Sequence, residues 1–148
     1  MADQSKIPTV LLIDDYPIDN IINERMMLGC GFCERVHINS SSRSALEFLS
    51  NLARNINTIP KVMIPNVIFL DINMPMMDGF QFLEEYRKFD EAFRAHTKIY
   101  MLSTSSNPVD LMRSEEDESI RAFFSKPLTE EDLEVVTVQF AQGEEMAA

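Results

Sequence analysis

NVIFLDINMPMMDG, residues 66–79, is the stretch that decides the fold. Val67–Leu70 is a continuous run of β-branched, aromatic and aliphatic side chains. It is the length of a strand, and its lack of polar alternation predicts a strand buried on both faces. The run stops at a carboxylate, Asp71, and Asp78-Gly79 then marks a turn into a helix over Gln81–Phe89.

The same arrangement recurs to either side. Thr9–Ile13 is an apolar run ending in Asp14-Asp15, Lys98–Leu102 ends in the hydroxyls Ser103-Thr104-Ser105-Ser106, and Ala122–Ser125 ends in Lys126-Pro127. Arg35–Ile38 reads as a short second strand. Helical patterns fill the gaps. Ile18, Ile21, Ile22 and Met26 recur at helical spacing before Gly29 and Gly31, and Ala45, Leu46, Leu49 and Leu52 form a stripe behind the caps Ser40–Ser42. A helix begins at Pro108–Ser114, and Glu130–Phe140 is amphipathic. Strand and helix alternate five times, which predicts a doubly wound α/β domain, (βα)5, with a five-stranded parallel sheet and helices on both faces. In such a sheet all the carboxyl ends of the strands lie along one edge. Asp14, Asp15, Asp71, Lys126 and a hydroxyl should therefore share one site, suited to a hard cation, a carboxylate nucleophile and a phosphoryl group.

The 148 residues fit one domain, expected over residues 7–142 with loose ends at 1–6 and 143–148. Thirteen basic against 24 acidic residues give a net charge of −11, which argues against nucleic acid or an anionic membrane as partner through bulk charge. No stretch approaches the roughly 20 apolar residues of a membrane span, and MADQSKIPTV lacks the pattern of a signal peptide, so a cytoplasmic location is the expectation. Only 22 residues follow Lys126, enough for a final helix but not for an output domain. Cys30 and Cys33 are spaced as a CxxC, yet they follow a helix and precede a strand, the reverse of a redox motif. With His37 and His96 as the sole histidines, a structural zinc site lacks ligands, and reduced cysteines in a turn are expected.

The acidic pair after strand one, Asp71-Ile72-Asn73-Met74-Pro75-x-Met77-Asp78-Gly79 after strand three, the hydroxyl after strand four and Lys126-Pro127 after strand five resemble, in that order, the receiver domains of two-component response regulators. The resemblance runs from about Pro8 to Ala141 and is to the stand-alone, single-domain type, similar to the chemotaxis response regulator. It implies a flavodoxin-like sheet and assigns roles residue by residue. Asp71 would be the phosphoacceptor. Asp15 would bind Mg²⁺ directly and Asp14 through water, with Asp71 and the backbone carbonyl of Asn73 completing the metal site. Lys126 would pair with the phosphoryl group, Ser103 would bind it by hydrogen bond, and Phe123 would be the aromatic switch. The Lys126-Pro127 bond would be cis. Donors would be a histidine kinase or a histidine phosphotransfer protein, and output would go to a downstream protein target rather than through an enzymatic turnover of its own. Asn73 and Ser105, two residues past the aspartate and the hydroxyl, would set the lifetime of the phosphate.

Plainer readings exist for several of these groups. One aspartate after strand one could simply cap a helix, although that leaves the other unexplained. Lys-Pro is an ordinary strand-ending turn, and at least one of Phe123 and Phe124 belongs to the core. Met74, Met76 and Met77 read as gap-filling loop residues, because thioethers suit soft metals. Glu115–Glu118 reads as a solvated face. The register leaves Thr104 open as the switch hydroxyl in place of Ser103. The Asn55–Pro65 connection, with two prolines, has no assigned role. Two rival functions remain: a Mg²⁺-dependent phosphohydrolase with an aspartate nucleophile, and a binding module that keeps the fold without the switch. A hydrolase usually carries its nucleophile in a DxD after the first strand, where this chain has adjacent Asp14-Asp15.

Overall fold

The computed structural model describes residues 6–104 and 107–147, with side chains through residue 143. The expected loose start at residues 1–5, and Ser105 with its proposed control of the phosphate, lie outside the described residues. Five strands are present: β1 (Ile7–Ile13), β2 (Cys33–Asn39), β3 (Val67–Asp71), β4 (Lys98–Ser103) and β5 (Ile120–Ser125). All pair in parallel in the order β2-β1-β3-β4-β5. The helices are α1 (Pro17–Gly29), α2 (Ser42–Arg54), α3 (Gly79–Tyr86), α4 (Glu91–Ala95), α5 (Pro108–Glu116) and α6 (Glu130–Ala147).

The alternation of side chains along the buried strands divides the core into two layers. Leu11, Ile13, Ile68, Leu70, Ile99 and Met101 pack with Ala45, Leu49 and Leu52 of α2 and Phe82 and Leu83 of α3. Val10, Leu12, Val67, Phe69, Tyr100 and Leu102 pack on the other face with Met27 of α1 and Leu133 and Val136 of α6. Neighbouring residues Phe123 and Phe124 therefore part company. Phe124 is buried and stacks on Tyr100, with ring centroids 5.8 Å apart, whereas Phe123 is half-buried against the opposite layer.

Four details correct the sequence reading. Of the apolar residues at helical spacing on α1, Ile18, Ile21 and Ile22 are exposed and Met26 is half-buried, while the buried residues are Asn20, Asn23 and Met27. The buried asparagines satisfy backbone groups that would otherwise be orphaned, an obligation that outweighs apolar burial at these positions. The helix expected over Gln81–Phe89 stops at Tyr86, and a turn leads into the short α4, whose Arg94 Nε donates to the Phe89 carbonyl at 2.9 Å. The last helix continues past Phe140 to Ala147. Within the acidic run, Asp117 is not merely solvated: it pairs with Arg87 and accepts the Ser119 N–H at 2.9 Å.

The unassigned connection is a packed segment. After α2 the chain turns on Asn55, forms a 3-10 turn over Lys61–Met63, and buries Ile64 and Pro65. It is pinned under β1, where Thr9 Oγ1 donates to the Val62 carbonyl at 2.5 Å and the Thr9 N–H donates to Asn66 Oδ1 at 3.1 Å. Its place is the pole opposite the carboxyl ends of the strands. Cys30 follows α1 in the turn where Gly31 adopts φ +74°, and Cys33, expected in the same turn, opens β2 instead; both thiols are free, and burial pushes the Cys33 thiol up to about 12. A thiol held so far above neutrality is a poor nucleophile.

Candidate functional site

The site lies at the carboxyl edge beside the β1–β3 junction, where the chain order along the sheet reverses. Asp14 and Asp15 follow β1, Asp71 is the last residue of β3, Ser103 is the last of β4, and Lys126 follows β5. One carboxylate oxygen from each of Asp14, Asp15 and Asp71 lies within 4.8 Å of the others. Asp14 and Asp71 are buried, and Asp15 is the more exposed of the three.

Lys126 enters this cluster with its side chain only 6% exposed. Its Nζ lies 2.8 Å from Asp14 Oδ2, 2.8 Å from Asp19 Oδ2 and 3.4 Å from Asp71 Oδ1. Burial alone would favour the neutral amine, but the hydrogen bonds to Asp14 and Asp19 and the charge of Asp71 outweigh it and hold the ammonium above its ordinary range. Asp71 responds in the opposite sense. Burial first, and the neighbouring Asp14 second, push its carboxyl up to about 7, against the pull of Lys126 and of the Asn73 N–H.

The frame around these groups is built from backbone contacts. The Asp14 N–H donates to the Asn39 carbonyl at 3.2 Å, and Asn20 Nδ2 donates to the Asp14 carbonyl at 2.9 Å. The Lys126 N–H donates to the Ser103 carbonyl at 2.8 Å, which ties the lysine loop to the hydroxyl strand. The Lys126-Pro127 bond is cis, as the resemblance implies, and the following Leu128 N–H donates to Asn23 Oδ1 at 3.0 Å. Beyond Asp71 the chain makes a γ-turn: the Met77 N–H donates to the Pro75 carbonyl at 2.8 Å, and Met76 at its centre has φ +71° and is 99% exposed. Met76 thus fills no gap, whereas Met74 is buried. Gly79 then returns against the phosphoacceptor strand so closely that a Cβ there would sit 2.8 Å from the Asp71 carbonyl oxygen.

Of the residues assigned to the site and described in the structure, Asp14, Asp15, Asp71, Asn73, Ser103 and Lys126 lie at this edge, and Phe123 does not. Ser103 is buried and Thr104, the next residue, is exposed. Phe123 lies three residues back along β5 beside a cavity of about 270 Å³ that Ser114 and Ile120 also line. Sequence reasoning missed Asp19, Asn20 and Asn23. A polar stripe along an otherwise apolar helix was the available signal for the two asparagines. Asp19 in the first turn reads only as an acid that suits the helix dipole.

The donor set fits Mg²⁺, a hard cation that takes one or two carboxylates and keeps several waters. Both Asp14 oxygens are engaged, Oδ1 by the Tyr16 N–H at 3.0 Å and Oδ2 by Lys126. The Asp15 carboxylate makes no hydrogen bond or ion pair among the described residues, which leaves it open to a direct metal bond.

Comparison with known proteins agrees with this geometry. The profile of the response regulator receiver domain matches residues 10–137. Response regulator Rcp1 of Synechocystis is 29% identical over 117 residues, covering 78% of this chain and 76% of that protein. The probable methanogenesis regulatory protein FilR2 of Methanothrix harundinacea is 26% identical over 124 residues, covering 84% and 75%. Among solved structures, a two-component response regulator from Cytophaga hutchinsonii superposes with a TM-score of 0.83 at 26% identity, over 93% of this chain and 99% of that one. The five-stranded parallel sheet, the acidic pocket at its switch point and a family match over most of the length lead to one conclusion: the chain belongs to the receiver domains of two-component response regulators, a family of signalling modules.

Proposed function

We propose that the protein accepts a phosphoryl group on Asp71 in a Mg²⁺-dependent reaction and signals by a change in the surface around β5. The observation that carries this reading is the ammonium of Lys126 lodged against two of three converging carboxylates, its Nζ 2.8 Å from Asp14 Oδ2 and 3.4 Å from Asp71 Oδ1. Asp15 and Asp71 would hold the metal through their carboxylates, Asn73 through its backbone carbonyl, and Asp14 through water. The bound cation would neutralise the carboxylates and the charge of the incoming phosphoryl oxygens. Phosphoryl transfer asks chiefly for such positioning and charge compensation.

The donor is a phosphohistidine on a histidine kinase or a phosphotransfer protein. An ionised Asp71 oxygen attacks phosphorus, the P–N bond breaks, and its electron pair stays on the imidazole nitrogen, which takes up a proton. Lys126 pairs with a phosphoryl oxygen as a compact charge. Ser103 supplies the hydrogen bond from the β4 side, a role its burial favours over exposed Thr104. Its inward movement frees space for the Phe123 ring, whose neighbouring cavity gives it room to turn. A downstream protein then reads the altered face.

Intact-mass measurement after treatment with acetyl phosphate and Mg²⁺ tests the assignment. Wild type should gain one phosphoryl group, chelation of the cation should abolish the gain, and Asp71→Asn should stay unmodified. Undiminished labelling of Asp71→Asn, or no labelling of wild type, would refute it.

A further inference from the structure

We propose that Asp19 is a positioning residue that holds the Lys126 ammonium off the phosphoacceptor and aims it at the place where a phosphoryl oxygen arrives. The proposal rests on the phosphoacceptor reading above.

An ammonium has three N–H donors. Those of Lys126 face three carboxylates, but unequally: the contacts to Asp14 and Asp19 are 2.8 Å, and that to Asp71 is 3.4 Å. Two short ion pairs on one side keep the ammonium from closing fully on the third partner. That matters chemically, because a short Lys–Asp71 pair would tie up an oxygen lone pair that the attack on phosphorus requires. Asp14 cannot do the holding alone. One of its oxygens already accepts the Tyr16 N–H, and a single anchor leaves a flexible four-carbon side chain free to swing.

Asp19 is well placed for this task and for little else at the site. It is not one of the three carboxylates that converge as a metal cluster, so its charge acts on the reaction through Lys126. It sits in the first turn of α1, one residue from Asn20, which donates to the Asp14 carbonyl. The same helix carries Asn23, which accepts the N–H of Leu128 just past the cis-proline. α1 thus holds the backbone at Asp14, the backbone at Leu128 just past the lysine, and the tip of the lysine itself. Because α1 starts two residues after Asp15, any shift of this helix would move the metal-facing pair and Lys126 together.

Wild type, Asp19→Asn and Asp19→Glu are compared in two measurements on the whole chain. The first follows the initial rate of phosphorylation across a range of acetyl phosphate concentrations with Mg²⁺ in excess. Asp19→Asn should be slower by about tenfold at saturation with an unchanged half-saturating concentration, since the donor does not touch Asp19. Asp19→Glu should recover most of the rate, which loss of a neutral packing role would not allow. The second records the Nζ–H signal of Lys126 by NMR without donor or divalent cation. The anchored ammonium of wild type should give a resolved signal, which should broaden in Asp19→Asn and return in Asp19→Glu. Equal or faster phosphorylation of Asp19→Asn, no recovery with glutamate, or an unchanged lysine signal would each overturn the proposal while leaving Asp71 as acceptor. Wild type that takes up no phosphoryl group would overturn the phosphoacceptor reading, and this one with it.

Discussion

Burial beside Asp14 raises the Asp71 carboxyl to about 7, against an ordinary value of 3.8. Between those two values the folded chain binds more protons than the unfolded one, so without divalent cation stability should fall as pH rises from about 4 to about 7. The loss attributable to this residue is about 4 kcal/mol. Asp71→Asn should remove that slope and be the more stable protein at pH 8, as urea unfolding of both proteins at pH 5 and pH 8 would measure. The comparison also separates Asp71 from His96, whose burial lowers its pKa and works the other way, costing stability as the pH falls through the ordinary histidine range. The carboxylates themselves were legible in the sequence, because each ends an apolar run and the topology sends those ends to one edge. Asp19 was not, because its role depends on Lys126, 107 positions further on, reaching across the site to within 2.8 Å.

At the level of single elements, two joints hold the edge in register. α3 begins with Gly79 pressed on the Asp71 carbonyl, where a methyl group would force the backbone to move. Gly79→Ala should cost about 1–3 kcal/mol of stability and also slow phosphorylation, since the displaced atoms belong to the acceptor strand. Denaturant melts and the intact-mass assay would read the two effects. α1 supplies the second joint through Asn23, and Asn23→Ala would leave the buried Leu128 N–H unpaired, a loss of about 1–3 kcal/mol in the same melts. Helical periodicity found α1 but not which of its residues are buried, since three isoleucines at helical spacing lie exposed while two asparagines are buried. Burial here follows hydrogen-bond demand from the loops around the site, which a hydropathy pattern does not record. α4 escaped for a different reason: five residues are too few to display a period.

Across the whole molecule, parallel pairing and the two-layer core followed from five apolar runs and the spacers between them, whereas the strand order came with the resemblance to the receiver family. The segment from Asn55 to Pro65 was illegible because its anchors, Thr9, Asn66 and Thr97, are ordinary polar residues far apart in the chain. Together they lace one end of the sheet. Asn66 bonds with Thr9 in both directions, its carbonyl accepts the Lys98 N–H at 2.9 Å, and Thr97 Oγ1 donates to the Pro65 carbonyl at 2.7 Å. The other end gathers Asp14, Asp15, Asp19, Asp71 and Lys126, where like charges crowd and partners can be exchanged. β1, β3 and β4 thus run from a clamped end to a yielding one. Amide hydrogen exchange should reveal this as a gradient, slowest at the Val67 and Ile68 amides and fastest at those of Ile72 and Lys126, although all lie in or beside the same sheet. Such a fold works as a cantilever, fixed at its root so that load applied at the tip is spent on bending the tip.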